Sequence, residues 1–145
     1  MSDKNYEAIL IDPVERSISI IEDHSEKLEA IYKTLDCDCI CSVKMPFNHV
    51  MFLDDNGLIR PVAEVNKRGL FYIPTSLSKP LAGRGLIFHS TPDGGLDSCF
   101  LLVEQVEQLI RWRPKGSKMT KEEQKIATEL QIIPFKGIRE SNEEE

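Results

Sequence analysis

Apolar positions in the first third of the chain predict a β-hairpin. Residues 8–11 are all apolar, which is typical of a strand buried on both faces. Asp12-Pro13 interrupts this run, and proline cannot donate a backbone hydrogen bond within a sheet. Residues 16–22 then alternate, with Ile18 and Ile20 on one face, so we expect them to pair with the first strand.

The clearest helical spacing follows the hairpin. Leu28, Ile31, Tyr32 and Leu35 recur at the period of one helix face, so we expect an amphipathic helix that lies across the sheet. Asp23 is followed three residues later by Glu26, which predicts a capping box at the start of this helix.

Further strands are predicted by alternation and by turn signals. Residues 37–45 alternate, which places Cys37, Cys39 and Cys41 on one face, and we expect Cys39 and Cys41 to be buried. Other strands are expected at 49–53, 70–73 and 86–89, and the Asn56-Gly57 turn predicts a return strand at 58–59.

The last third of the chain combines helical and basic segments. We expect a second helix near 102–110, a basic linker at 111–119, and a short helix from 121 to 130. Thr120 and Glu123 have the spacing of a second capping box. The acidic residues 140–145 are expected to be disordered, so the chain divides into a core domain (1–110), the linker, and a C-terminal appendage with its tail (120–145). The predicted fold is α+β, with a mainly antiparallel sheet, one helix packed across it, the second helix and the short C-terminal helix.

Charge and composition narrow the function classes. The chain has 145 residues and a net charge of −6, which argues against a protein that coats nucleic acid or binds anionic membranes through a basic face. The first seven residues are polar and do not resemble a signal peptide, and no apolar run approaches the ~20 residues of a membrane span. The four cysteines then indicate reduced thiols, and we expect a cytoplasmic protein.

The segment Gly83-Arg84-Gly85 is the first candidate site. Glycine on both sides of an arginine permits unusual backbone conformations, and an arginine fork matches phosphate or carboxylate. Other cations in the same half of the chain would add positive charge: Arg60, Lys67, Arg68 and Lys79. The alternative is a structural turn in which Arg84 pairs with Asp12, Asp54 or Asp55.

A basic segment is the second candidate. Residues 111–121 contain five positive charges, one tryptophan and no acid. Stacking on Trp112 would suit single-stranded nucleic acid, but the acidity of the whole chain opposes this. We therefore expect a solvated linker or a partner-binding arm made by Arg111, Trp112 and Arg113.

The sequence gives less support for a metal site or for nucleophilic catalysis. Cysteines in a row along a strand do not converge on one metal ion, so core packing is favoured. His24, His49 and His89 have no nucleophile motif beside them. Asp54 and Asp55 before Asn-Gly favour a solvated turn over a metal site. We predict no catalytic residue, no metal and no cofactor.

Four short segments together carry a resemblance to a known family. The segments are residues 9–13, 31–32, 52–58 and 80–86, in this order along the chain. Together they resemble a group of small uncharacterised proteins encoded on phages, plasmids and other mobile elements. The resemblance covers about residues 8–109, and the segment from Arg111 onward looks like an addition. It implies an accessory protein that acts against a host defence system.

The sequence therefore predicts a non-enzymatic accessory protein. It would bind a host protein or sequester a small anionic ligand, as a homo-oligomer. The alternative is a metal-assisted enzyme that acts on a nucleotide or phosphoester, with Arg84 supplying charge and Asp54 or Asp55 holding the metal.

Overall fold

The computed structural model describes residues 5–74, 80–114 and 117–125. It confirms the predicted α+β fold. In chain order, the described elements are β1 (Asn5–Asp12), β2 (Ser17–Ser25), α1 (Leu28–Leu35), β3 (Ile40–Met45), β4 (His49–Asp54), α2 (Val62–Arg68), β5 (Leu70–Tyr72), β6 (Leu81–Ala82), β7 (Gly85–Ser90), β8 (Leu96–Asp97), α3 (Val103–Leu109), β9 (Arg111–Trp112) and α4 (121–125).

A central antiparallel sheet organises the fold. Its strand order is β2-β1-β7-β4-β3, and β8 pairs with β7. In β7, the consecutive residues Leu86, Ile87 and Phe88 are all fully buried. Because neighbouring side chains in a strand point to opposite faces, both faces of this sheet must be covered.

Different layers cover the two faces. On one face, Ile31 and Leu35 of α1 form a cluster with Ala8, Leu86 and Phe88, which confirms the predicted helix across the sheet. On the other face lie α3 and a small second sheet of order β6-β5-β9. A third cluster, built around Val65 of α2, lies beside the second sheet.

The start of α1 differs from the prediction. Strand β2 continues to Ser25, because His24 and Ser25 pair with the first residues of β1. Asp23 has φ 59 within this strand, where β1 and β2 also change register, and the helix begins at Leu28 without a side-chain cap. Cross-strand pairing therefore prevails over the local capping signal.

The predicted strand at 37–45 is shorter than expected. It begins at Ile40, because Asp36 ends α1 in a left-handed conformation and the Cys37 N–H still donates to Tyr32 O. Cys39 is exposed and Cys41 is half-buried, so the predicted burial of these two residues was wrong.

Helix α2 was not predicted from the sequence. Val65 is its only buried residue, so its seven residues show no helical stripe. The expected return strand at 58–59 is also absent, because these residues form part of the turn that leads to α2.

The C-terminal segment contains the predicted capping box. The Thr120 N–H donates to Glu123 Oε1 at 2.9 Å, and the Glu123 N–H donates to Thr120 Oγ1 at 3.1 Å. This confirms the start of the short C-terminal helix. The predicted remainder of that helix and the acidic tail lie outside the described residues.

Over residues 5–74, 80–114 and 117–125, no helix has the length and apolar character needed to span a bilayer.

Close packing at Gly85 gives the first prediction. A Cβ atom at this position would lie 2.7 Å from Met51 Sδ, and Met51 is fully buried. We expect Gly85→Ala to lower the free energy of unfolding by about 1–3 kcal/mol through overpacking, as measured by chemical denaturation. In a Met51→Ala background the same change should cost clearly less. Equal costs in both backgrounds would show that this contact is not the cause.

Candidate functional site

The Gly83-Arg84-Gly85 loop leads from β6 into β7. Gly83 has φ 86, which favours glycine, and its N–H donates to Gly69 O. Arg84 Nη1 donates to Thr34 O at 3.0 Å, and Arg84 Nε lies 3.7 Å from Asp12 Oδ2. Of the partners that the sequence suggested, Asp12 is thus the one that Arg84 contacts, although 47% of the Arg84 side chain stays exposed.

The cleft beside this loop has balanced charge. It has a volume of about 440 Å³ and is called here the loop cleft. Its described lining contains four cations, namely Lys33, Lys67, Arg68 and Arg84, and four acids, namely Asp12, Glu15, Asp36 and Glu64. Arg68 pairs with Glu64 and Asp36, and Arg84 lies beside Asp12, so these charges largely compensate one another.

Arg60 has a structural partner. Its Nε donates to Asp54 Oδ2 at 2.5 Å, and only 2% of the Asp54 side chain is exposed. This hydrogen bond is the main reason that the pKa of Arg60 is raised. The Asn56 N–H donates to Asp54 Oδ1, and Arg68 Nη1 lies 3.9 Å from Asp54 Oδ2. Asp54 is therefore committed to internal contacts, whereas Asp55 is exposed. Lys79, the remaining predicted site residue, lies outside the described residues.

The predicted arm at 111–113 packs against the rest of the protein. Arg111 and Trp112 form β9, which pairs with β5. Arg111 is exposed, and its Nη1 donates to the carbonyls of Gln108 and Ile110 at the end of α3. The half-buried Trp112 ring lies 6.4 Å from the Phe71 ring, centre to centre.

Arg113 forms a nearly buried ion pair. Its Nη1 lies 2.6 Å from both carboxylate oxygens of Glu123, and each side chain is 10% exposed. Tyr72 OH also donates to Glu123 at 2.6 Å, and Arg113 Nη2 donates to Lys118 O. These contacts attach the segment at 117–125 to the second sheet.

The pKa values in this network follow from burial and hydrogen bonding. Burial tends to raise the pKa of Glu123, but the hydrogen bonds from Arg113 and Tyr72 outweigh it and lower that pKa. Burial, followed by the hydrogen bond to Glu123, raises the pKa of the Tyr72 hydroxyl. Glu123 is therefore ionised and Tyr72 protonated near neutral pH.

A second cleft opens where three segments meet. It has a volume of about 260 Å³ and is called here the basic cleft. Arg16 reaches it from the β1–β2 turn, Lys67 from α2, and Trp112 and Lys118 from β9 and the segment beyond it. Among the described residues that line it there is no aspartate and no glutamate. Arg113 is neutralised by Glu123, so the remaining positive charge in this lining comes from Arg16, Lys67 and Lys118, all of which are exposed. Lys67 is shared with the loop cleft, whose lining includes Glu64.

The structure combines candidates that the sequence kept apart. Lys67 was predicted to add charge near the Gly-Arg-Gly loop and Trp112 to belong to a separate arm, and Arg16 was not among the predicted site residues. In the structure, Lys67 lines both clefts, and Trp112 lies in the basic cleft. The unusual composition of residues 111–121 was the only sequence signal for this site.

The histidines have structural contacts. His49 is 2% exposed, its Nδ1 donates to Phe47 O at 2.9 Å, and its Nε2 accepts from the Phe100 N–H at 3.2 Å. Burial lowers the pKa of His49, and hydrogen bonds to the backbone only partly offset this effect. His24 is also buried, with ring hydrogen bonds to Ser25 O and Thr34 Oγ1.

Donor groups for a metal ion do not converge in the part of the chain that the structure describes. There, no three His, Cys, Asp or Glu side chains come close enough together to hold an ion.

The Arg113–Glu123 pair gives the second prediction. We expect Arg113→Gln to destabilise the protein by about 3 kcal/mol, because it leaves the Glu123 carboxylate nearly buried without its cation. Arg111→Gln is the matched control, since it removes the same charge from an exposed position two residues away. Thermal and chemical denaturation of both variants measure the difference, and similar losses would contradict an essential role for the pair.

Comparison with known proteins places the chain in a family. No curated protein and no solved structure matches it. The family model described as "Domain of unknown function (DUF3846)" matches residues 6–112 of the 145. The match begins at the second residue of β1 and ends with β9, so it covers both sheets and Trp112 but ends before Arg113 and Lys118. The chain belongs to the DUF3846 family, a family of domains of unknown function.

Proposed function

We propose that this protein is a non-enzymatic binding protein that sequesters a small phosphate-bearing ligand in the basic cleft. The observation that carries the proposal is the unbalanced charge of that cleft. Three exposed cations from three separate segments lie around it, and its described lining contains no carboxylate. In a protein of net charge −6, such a local concentration of positive charge selects anions.

Phosphate chemistry suits this arrangement better than a single carboxylate does. A phosphate group offers several anionic oxygens, which can accept from Arg16, Lys67 and Lys118 at the same time. Arginine can bind it through two N–H groups, and each lysine contributes a compact charge.

The Gly-Arg-Gly loop supports this site indirectly. Asp12 Oδ1 accepts from the N–H groups of Val14 and Glu15, which fixes the turn that presents Arg16. Arg84 lies beside the other Asp12 oxygen and partly neutralises it. Arg84 thus acts as a positioning residue for one wall of the basic cleft.

An enzymatic function has less support. The alternative from the sequence needs Asp54 or Asp55 to hold a metal beside Arg84. The Asp54 carboxylate instead accepts from Arg60 Nε and from the Asn56 N–H, and Arg84 lies beside Asp12. These contacts favour binding over metal-assisted phosphoester chemistry.

The cellular role in this proposal comes from the sequence resemblance. A cytoplasmic accessory protein of a mobile element would gain from removing a small phosphate-bearing ligand on which a host defence system depends. Sequestration requires binding and slow release but no reaction.

A titration with ribose 5-phosphate and inorganic phosphate tests the proposed site. Backbone amide NMR signals around Gly69 and Ser117 are expected to shift in a saturable manner, because both residues line the basic cleft. Replacing Lys67 and Lys118 together by glutamine should weaken binding about tenfold or more, since each loses a charge-assisted contact.

Lys33→Gln is the control for this titration. It removes one positive charge from the loop cleft and leaves the basic cleft intact. Unchanged binding by the Lys67/Lys118 variant, or a larger loss from Lys33→Gln, would contradict the proposal.

A second candidate function is docking of a protein, either a host protein or a second copy of this chain. Two large aromatic side chains are exposed, Phe47 by 66% and Phe100 by 60%, and both residues contact His49. Neighbouring exposed aromatic residues are enriched at protein interfaces.

Light scattering tests the self-association form of this candidate. If these residues form the contact, the measured mass of the wild type should exceed the 16.5 kDa of one chain. The mass of the double variant Phe47→Ser/Phe100→Ser should equal that of one chain. Leu28→Ser, at another exposed apolar position, should leave the mass unchanged. A monomeric wild type would rule out self-association. If the double variant still captures a host protein, these two residues are not the docking surface.

A further inference from the structure

We propose that the ligand of the basic cleft is a single nucleotide, whose base lies on Trp112 and whose phosphate contacts Arg16, Lys67 and Lys118. This inference rests on the proposed function and names its ligand class. It follows from an aromatic ring and a cationic rim in one cleft, and from the size of that cleft.

The cations alone do not account for a specific site. Arg16, Lys67 and Lys118 are exposed and flexible, so their contacts with a bare anion are weakened by water and salt. Specific retention in this cleft requires a second contribution from apolar surface.

Trp112 supplies that surface. Pairing of β9 with β5 fixes its backbone, and packing near Phe71 restricts its ring. Pro13, Val14 and Leu70 also line the cleft and extend its apolar part. A ring held in this way provides a stacking platform, and every nucleobase has a flat face that can use it.

Asn66 adds a polar group at the same cleft. Its Oδ1 accepts from the Met119 N–H at 2.8 Å, which fixes the orientation of the side-chain amide. Among the described residues no acceptor is recorded for the Nδ2 group, which can donate to a ring nitrogen or a carbonyl oxygen of a ligand. A nucleobase offers such acceptors along its edge, in addition to the oxygens that every sugar phosphate carries.

The dimensions of the cleft favour one nucleotide unit. Its volume of about 260 Å³ lies below the ~300–1,000 Å³ typical of sites for drug-sized ligands, so a ligand larger than one nucleotide would project out of it. A dinucleotide cofactor would extend well beyond it. A long nucleic acid is also disfavoured, because the chain is acidic and the adjoining loop cleft carries as many acids as cations in its described lining.

Fluorescence provides a direct test, since Trp112 is the single tryptophan of the chain. The full-length protein is titrated with the four ribonucleoside 5′-monophosphates under tryptophan-selective excitation. Adenosine, ribose 5-phosphate and inorganic phosphate serve as ligands that lack the phosphate, the base, or both the base and the sugar. We expect saturable quenching by at least one monophosphate, with affinity at least about tenfold above that for ribose 5-phosphate.

Three variants assign the contributions. Trp112→Leu should reduce the affinity for the monophosphate to that for ribose 5-phosphate, as measured by calorimetry. Lys67→Gln should lower the affinities for the monophosphate and for ribose 5-phosphate by a similar factor, because both ligands carry the phosphate. Arg111→Gln, at the neighbouring position of β9 that does not line the cleft, should leave both affinities unchanged.

The outcomes separate this inference from the proposed function. Equal affinities for the monophosphates and ribose 5-phosphate, both reduced by Lys67→Gln, would overturn the nucleotide assignment and leave the anion site standing. Absence of binding by every phosphate-bearing probe would overturn both. A short single-stranded oligonucleotide that binds more tightly than the monophosphate, through the same residues, would identify a nucleic-acid strand as the source of the nucleotide unit.

Discussion

Burial of β7 on both faces is the constraint on which the rest of the structure depends. Leu86, Ile87 and Phe88 are consecutive and fully buried, so the fold needs an apolar layer on each side of the central sheet. Helix α1 forms one layer, and α3 with the second sheet forms the other. Strand β9 forms one edge of the second sheet, so the packing that covers β7 also places Trp112 at the edge of the basic cleft.

Electrostatic pairing then decides which charges remain available for a ligand. Glu123 neutralises Arg113, and Asp54 neutralises Arg60, in contacts with little solvent. Pairs of this kind fix the segments that carry them, because separating the charges would leave one of them buried alone. Arg16, Lys67 and Lys118 lie in the basic cleft without a carboxylate in its described lining. An acidic protein can therefore contain a local site for anions.

Local signals predicted the fold where no stronger tertiary contact competed with them. The capping box at Thr120 and Glu123 forms as predicted, whereas the same signal at Asp23 is overridden by the pairing of β2 with β1. Helix α2 escaped prediction because Val65 is its only buried residue. The basic cleft was not visible as a unit, since residues distant in sequence meet there only after the chain folds. The Gly-Arg-Gly loop could be recognised from the sequence because its two glycines and its arginine are consecutive residues.

The boundary of the family match divides the lining of the basic cleft into two parts. Residues 6–112 include Arg16, Lys67 and Trp112, but Arg113 and Lys118 lie beyond the match. The matched domain thus supplies two cations and the aromatic ring, and the following segment supplies the third cation. That segment is held by the Arg113–Glu123 pair and by the Met119 N–H, which donates to Asn66. Because Asn66 also lines the cleft, the attachment of this segment and the shape of the basic cleft are physically coupled.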